Sequence, residues 1–165
     1  METEQVKIWL RRYAGLKMKV ANDKARIARA ENNAQLPAMK MGDESKRQPG
    51  GKGRLEQATI RLMETKEKWL PIIAKNEAAM QQIEDAIDSL DDPFESEVLR
   101  MRYLDDFENE DTGLDIRCRL TLWRPIVISL YGSYEEKYEK AAHRLHREAL
   151  KNIGKVIEKI EVEEK

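Results

Sequence analysis

The amino-acid sequence predicts an all-α protein: a long N-terminal antiparallel helical hairpin or coiled coil, followed by a C-terminal helix-turn-helix domain. Three observations carry this expectation. Of 165 residues only 41% are hydrophobic and 37% are charged, a lean balance that suits long helices each burying one stripe. Good helix formers dominate, while Gly and Pro cluster in a few places. Apolar residues also repeat every seven positions along two separate stretches, the signature of a helical seam.

The first repeat runs from Thr3 to about Ala34. Val6, Tyr13, Val20, Ile27 and Ala34 share one heptad position, and Trp9, Leu16 and Ala30 the other; Asp23 is the exception. From Gln35 to Gly53 the period vanishes among Pro37, Gly42, Pro49, Gly50, Gly51 and Gly53, which predicts a flexible loop. The second repeat runs from Arg54 to Leu90. Leu55, Leu62, Trp69, Asn76, Ile83 and Leu90 hold one position, and Ala58, Ile72, Ala79 and Ala86 the other. Pro71 is expected to kink or interrupt this helix near Trp69. Two helices of similar length joined by a loop fold back most simply as a hairpin. Each has more apolar seam than one neighbour covers, which favours a homodimer or higher homo-oligomer, with a monomeric three- or four-helix bundle as the alternative. The expected division is therefore 1–91, an oligomerisation arm with its loop at 35–53, and 92–165, a DNA-binding domain.

Asp92-Pro93 is a helix start, an N-cap followed by Pro at the first helical position. The helix from Pro93 to Leu104 carries Phe94, Val98, Leu99, Met101 and Tyr103. The next stretch, Asp105 to Asp115, holds six acidic residues and no basic one. It lacks the alternating ligands and central Gly of a calcium loop, so a solvated acidic loop is expected. Thr121 then opens a short helix through Trp123, Ile126, Val127, Leu130 and Tyr131. Gly132 ends it in a left-handed cap, and Ser133 with Glu136 forms a capping box for a long final helix. That order, short helix, glycine turn and capped long helix, is helix-turn-helix grammar.

The final helix sorts its charges. Tyr138, Ala142, Leu145, Ala149, Ile153, Val156 and Ile160 form its apolar arc. Lys137, Lys140, Arg144, Arg147, Lys151 and Lys155 fall within roughly 80° on the opposite side. Cations spaced three or four apart repel one another by a few tenths of a kcal/mol per pair, and a phosphate backbone would relieve this. Net charge is −1, and Pro93 onward holds thirteen basic against sixteen acidic residues, so the positive charge must be segregated onto one surface. The expected DNA-binding residues are Arg124, Lys137, Lys140, Arg144, Arg147 and Lys151, with double-stranded DNA as partner.

The strings Glu97 to Tyr103, Trp123 to Gly132 and His143 to Leu150 resemble prophage-encoded transcriptional regulators of Gram-positive bacteria. Such regulators look like region four of sigma factors, and the resemblance implies control of late packaging and lysis genes. It covers roughly the last 70 residues and implies that Trp123–Tyr131 supports a recognition helix beginning at Ser133. Two features depart from it: the acidic insertion between Tyr103 and Trp123, and a final helix about one turn longer. Two rival functions are a DNA-packaging recognition subunit of small-terminase type and a helical adaptor that binds RNA polymerase without touching DNA.

No enzyme is expected, and no catalytic residue, metal site or cofactor. His143 and His146, three residues apart, lack further ligands; His146 borders the apolar arc and suggests packing or a phosphate contact, and either could tune binding near neutral pH. Cys118 is the one cysteine, read as a small, partly buried residue of a reducing compartment. The acidic start has no following apolar run, so no signal peptide is expected, and no stretch is apolar enough for a membrane span. A cytoplasmic protein follows.

Overall fold

The structure, a computed structural model, describes residues 1–39, 51–105, 114–115 and 120–163. These are almost wholly helical. Helix α1 spans Thr3–Met39 and α2 spans Gly51–Asp88. Helix α3 covers Pro93–Leu99 and continues as a π-helical turn, Arg100–Leu104. Strands β1 (Leu114–Asp115) and β2 (Leu120–Thr121) pair antiparallel, with Leu114 opposite Thr121. Helices α4 (Trp123–Tyr131) and α5 (Glu136–Glu163) complete the fold.

Both long helices run further than the sequence suggested. Residues 35–39 belong to α1 and 51–53 to α2, so the expected loop is shorter at both ends; 40–50 lie outside the described residues. Extending a helix needs no new nucleus, so a few unfavourable residues are carried along. Pro71 does not interrupt α2, which is one continuous helix through it. Pro71 and Glu67 are both exposed residues, and the Glu67 carbonyl loses its N–H donor there.

The chain divides into two compact units, Leu16–Ala78 and a larger one made of Met1–Gly15 with Ala79–Lys165. In Leu16–Ala78 the buried apolar residues include Val20 and Ile27 of α1 and Ile73 of α2. Asp23, the heptad exception, is buried too, and accepts a 2.7 Å hydrogen bond from Arg26, whose guanidinium lies 4.4 Å from the Trp69 ring centroid. Lys24 pairs with Glu77 at 2.8 Å and Lys66 with Glu31 at 2.6 Å. Partner numbers thus fall along α2 as they rise along α1.

The larger unit takes the first turns of α1 and the last of α2 into the core of the C-terminal elements. Val6, Leu10, Ile87, Val98, Leu99 and Ile126 are all fully buried. Asp92 caps α3 as its sequence required, accepting from the Phe94 N–H at 2.8 Å with Pro93 at the first position. Phe94 itself is exposed. The helix widens after Leu99: the Asp105 N–H donates to the Arg100 carbonyl, and the extra residue in that turn lets Met101, Tyr103 and Leu104 all be buried. Arg100 is held by two nitrogens on Asp88, Nη2 at 2.7 Å and Nε at 3.0 Å. Buried Glu95 of α3 accepts from Asn152 of α5, 2.9 Å to each oxygen. At Gly154 of α5 a Cβ would come within 3.2 Å of the Val6 side chain, so α1 and α5 approach closely there.

Candidate nucleic-acid interface

Helix α5 is oriented by its buried side. Ala142, His146, Ala149, Leu150, Ile153 and Ile157 are all under 9% exposed. Leu150 and Ile157 are absent from the apolar arc expected of the sequence, and on a helical wheel the buried side is turned by roughly 50° towards them. Their seven-residue spacing was the available signal. Tyr138, Leu145, Val156 and Ile160 are correspondingly only half-buried.

His146 is the fixing point of this side. Its Nε2 lies 3.2 Å from the Tyr103 hydroxyl, and its ring meets Trp123 edge-on at 5.1 Å. Burial, with the nearby charges of Arg102, Lys7 and His143, pushes its pKa down to about 4. It is therefore a neutral packing residue, and the expectations of a phosphate contact or of titration near pH 7 at this position are corrected. His143 stays half-exposed, 4.1 Å from Trp123 between ring centroids.

The outward side of α5 is open: Lys137, Lys140, Arg144, Arg147, Lys151 and Lys155 are all exposed, as is Arg124 of α4. Their surroundings differ. Lys137 lies 2.8 Å from Glu135, which holds its ammonium above the ordinary range, and 4.5 Å from the Tyr138 ring centroid. Lys140 pairs with Glu136 at 2.6 Å. Arg144, Arg147 and Lys151 have no hydrogen-bond or ion-pair partner among the described residues. The cations of the first turn are thus matched by carboxylates of their own segment, and those of the middle turns are exposed with no such match among the described residues.

The junction of α4 and α5 departs from the sequence expectation in two places. Thr121 does not open α4. It is buried in β2, where its hydroxyl donates to the Asp105 carbonyl at 3.3 Å and its carbonyl accepts from Arg102. Leu122 precedes the helix without a side-chain cap. Gly132 does adopt the left-handed conformation, φ 76° and ψ −12°, and its N–H donates to the Ile128 carbonyl at 2.8 Å. Ser133, however, forms no capping box: α5 starts at Glu136, and the Glu135 carbonyl accepts from the Tyr138 and Glu139 N–H groups. The spare residues carry Tyr134 back towards α4, its ring 5.6 Å from the Arg124 guanidinium and its hydroxyl donating to Glu139 at 2.6 Å. Tyr131 and Tyr138 stack on one another, ring centroids 5.0 Å apart. Sequence reasoning misses the Tyr131–Tyr138 stack and the contact of Tyr134 with Arg124, although the spacing of the three tyrosines is visible.

Among the described residues no group of three or more His, Cys, Asp or Glu side chains could hold a metal ion, and no helix is long and apolar enough to cross a membrane. Cys118 and most of the acidic stretch lie outside the described residues. The chain matches no known protein family, no curated protein and no solved structure.

Proposed function

We propose that this chain is a DNA-binding transcriptional regulator of phage or prophage origin, sigma region-four-like in its C-terminal part. Helix α4 is the support, residues 132–135 the turn, and α5 the recognition helix of a helix-turn-helix. The observation that carries the proposal is the exposed cationic side of α5, opposite its buried side, with three cations that have no carboxylate partner among the described residues. Arg144, Arg147 and Lys151 contact DNA first. Lys137 and Lys140 exchange their glutamates for phosphates, and Arg124 clamps a phosphate from the support helix. A second copy of the chain joins through the arm. Ile60, Met63 and Leu70 of α2 are 54%, 66% and 52% exposed and follow heptad spacing, a seam still without a cover.

The test is binding to duplex DNA flanking the chain's own gene, measured at two salt concentrations. R144Q/R147Q is expected to weaken binding and to lower the slope of log K against log salt by about 2, since each phosphate contact contributes roughly 0.9. Helicity by circular dichroism stays unchanged. An unaltered slope overturns the assignment. Protection of a promoter only when RNA polymerase is present selects the adaptor alternative, and a large closed ring by mass measurement selects the packaging one.

A further inference from the structure

Helix α1 carries a second cationic surface that the DNA-binding assignment above does not use. From Lys7 to Arg29 it holds eight basic residues, Lys7, Arg11, Arg12, Lys17, Lys19, Lys24, Arg26 and Arg29, against one acidic residue, Asp23. Such a balance is foreign to a chain whose net charge is −1. The structure sharpens the imbalance: Asp23 is only 5% exposed, so the single carboxylate of the run contributes little to its outer surface. Helical-wheel arithmetic places Arg11, Arg12, Lys19, Arg26 and Arg29 within about 100° of arc, on the side away from buried Val6, Leu10, Tyr13, Val20 and Ile27. All five are exposed. Arg26 reaches round to Asp23, while Arg11, Arg12, Lys19 and Arg29 have no hydrogen-bond or ion-pair partner among the described residues.

We infer that the outer side of α1 binds the phosphate backbone of nucleic acid, as a contact separate from α5. The cations repel one another along one helix, and only a polyanion turns that cost into binding free energy, by releasing its condensed counterions. Arg11 to Arg29 spans roughly 27 Å at about 1.5 Å per residue, an extended array suited to an extended polyanion rather than to a point anion. Charge complementarity also chooses between polyanions. A helix lying on an anionic lipid surface needs a broad apolar side as well as cations, and the broad apolar side of α1 is buried. Among the described residues of α1 only Ile8 and Met18 are large apolar side chains exposed on its outer half. The arm that the proposed function uses for assembly thus also adds sequence-independent affinity. The ligand class is that of the proposed function and rests on that reading, but the residues are different ones.

The experiment compares three full-length proteins, wild type, R11Q/R12Q/K19Q/R29Q and R144Q/R147Q, on a random-sequence 30-base-pair duplex over a series of salt concentrations. Circular dichroism checks that helicity is kept. The quadruple variant is expected to lower the salt slope by about 3 to 4, at roughly 0.9 per phosphate contact. A slope equal to wild type overturns the inference, and if R144Q/R147Q still lowers it, the assignment of α5 stands alone. A lowered slope in the quadruple variant with none in R144Q/R147Q supports α1 and removes α5. Vesicles containing phosphatidylserine are the second arm. Loss of vesicle binding in the quadruple variant with duplex binding intact assigns the surface to lipid and overturns the inference.

Discussion

At His146 the sequence allows packing or a phosphate contact, and the structure decides for packing. Its position beside the apolar arc was legible, but only packing decides whether a border histidine meets water or Tyr103 and Trp123. Its pKa of about 4 lies below the ordinary 6.5, so the unfolded chain takes up the proton first. The stabilisation is complete above about pH 6.5 and is lost as pH falls towards 4, by about 3 kcal/mol at roughly 1.4 kcal/mol per pKa unit. Chemical denaturation at a series of pH values should show this extra loss in the wild type and not in H146Q; parallel curves would refute it. Asn152 is a comparable case. Its amide donates to both oxygens of buried Glu95, so N152L should cost about 2 to 3 kcal/mol by stripping a buried carboxylate of these hydrogen bonds. A thermal shift of less than about 2 °C would place Glu95 in contact with water instead.

The elements were mostly legible, and their boundaries less so. Heptad spacing marked α1 and α2, Asp92-Pro93 marked the start of α3, and Gly132 marked the end of α4, because each depends on local chemistry. Thr121 and Ser133 misled for the opposite reason. Both are good caps by type, yet the hydroxyl of Thr121 is engaged by the Asp105 carbonyl and the chain after Gly132 needs residues to bring Tyr134 back to Arg124. The two short strands and the π-helical turn had no local signal, since tertiary contacts at β2 and around Tyr103 produce them. Gly132 offers a clean check at this scale. G132A places a Cβ in left-handed backbone and should cost about 1 to 2 kcal/mol, while a built Cβ meets no other atom within 4 Å. G132N should recover part of the loss, as Asn tolerates that conformation, and equal melting temperatures for all three would rule out strain as the cause.

At the scale of the whole molecule, the balance of charge conceals its arrangement. Thirty basic and thirty-one acidic residues nearly cancel, but eleven of the cations lie along the outer sides of α1 and α5. The α5 stripe could be read from helical periodicity because the apolar arc gives its phase, although the pairing of Lys137 and Lys140 with Glu135 and Glu136 could not. The α1 stripe is present in the charge run from Lys7 to Arg29, and the burial of Asp23 sharpens it. Assembly belongs to this scale too. If a second copy covers Ile60, Met63 and Leu70, the mass measured at equilibrium should rise with concentration, and M63E/L70E should hold the chain as a monomer; a monomer at every wild-type concentration would dismiss the seam. One further property follows from the clasp between Asp105 and Thr121. Thr121 touches Asp105 and also pairs with Leu114, so the chain between Asp105 and Leu114 leaves and rejoins the protein body at neighbouring anchors. Thr121 therefore ties two stretches of chain together through one residue, its hydroxyl serving the end of the π-helical turn and its main chain the pairing with β1.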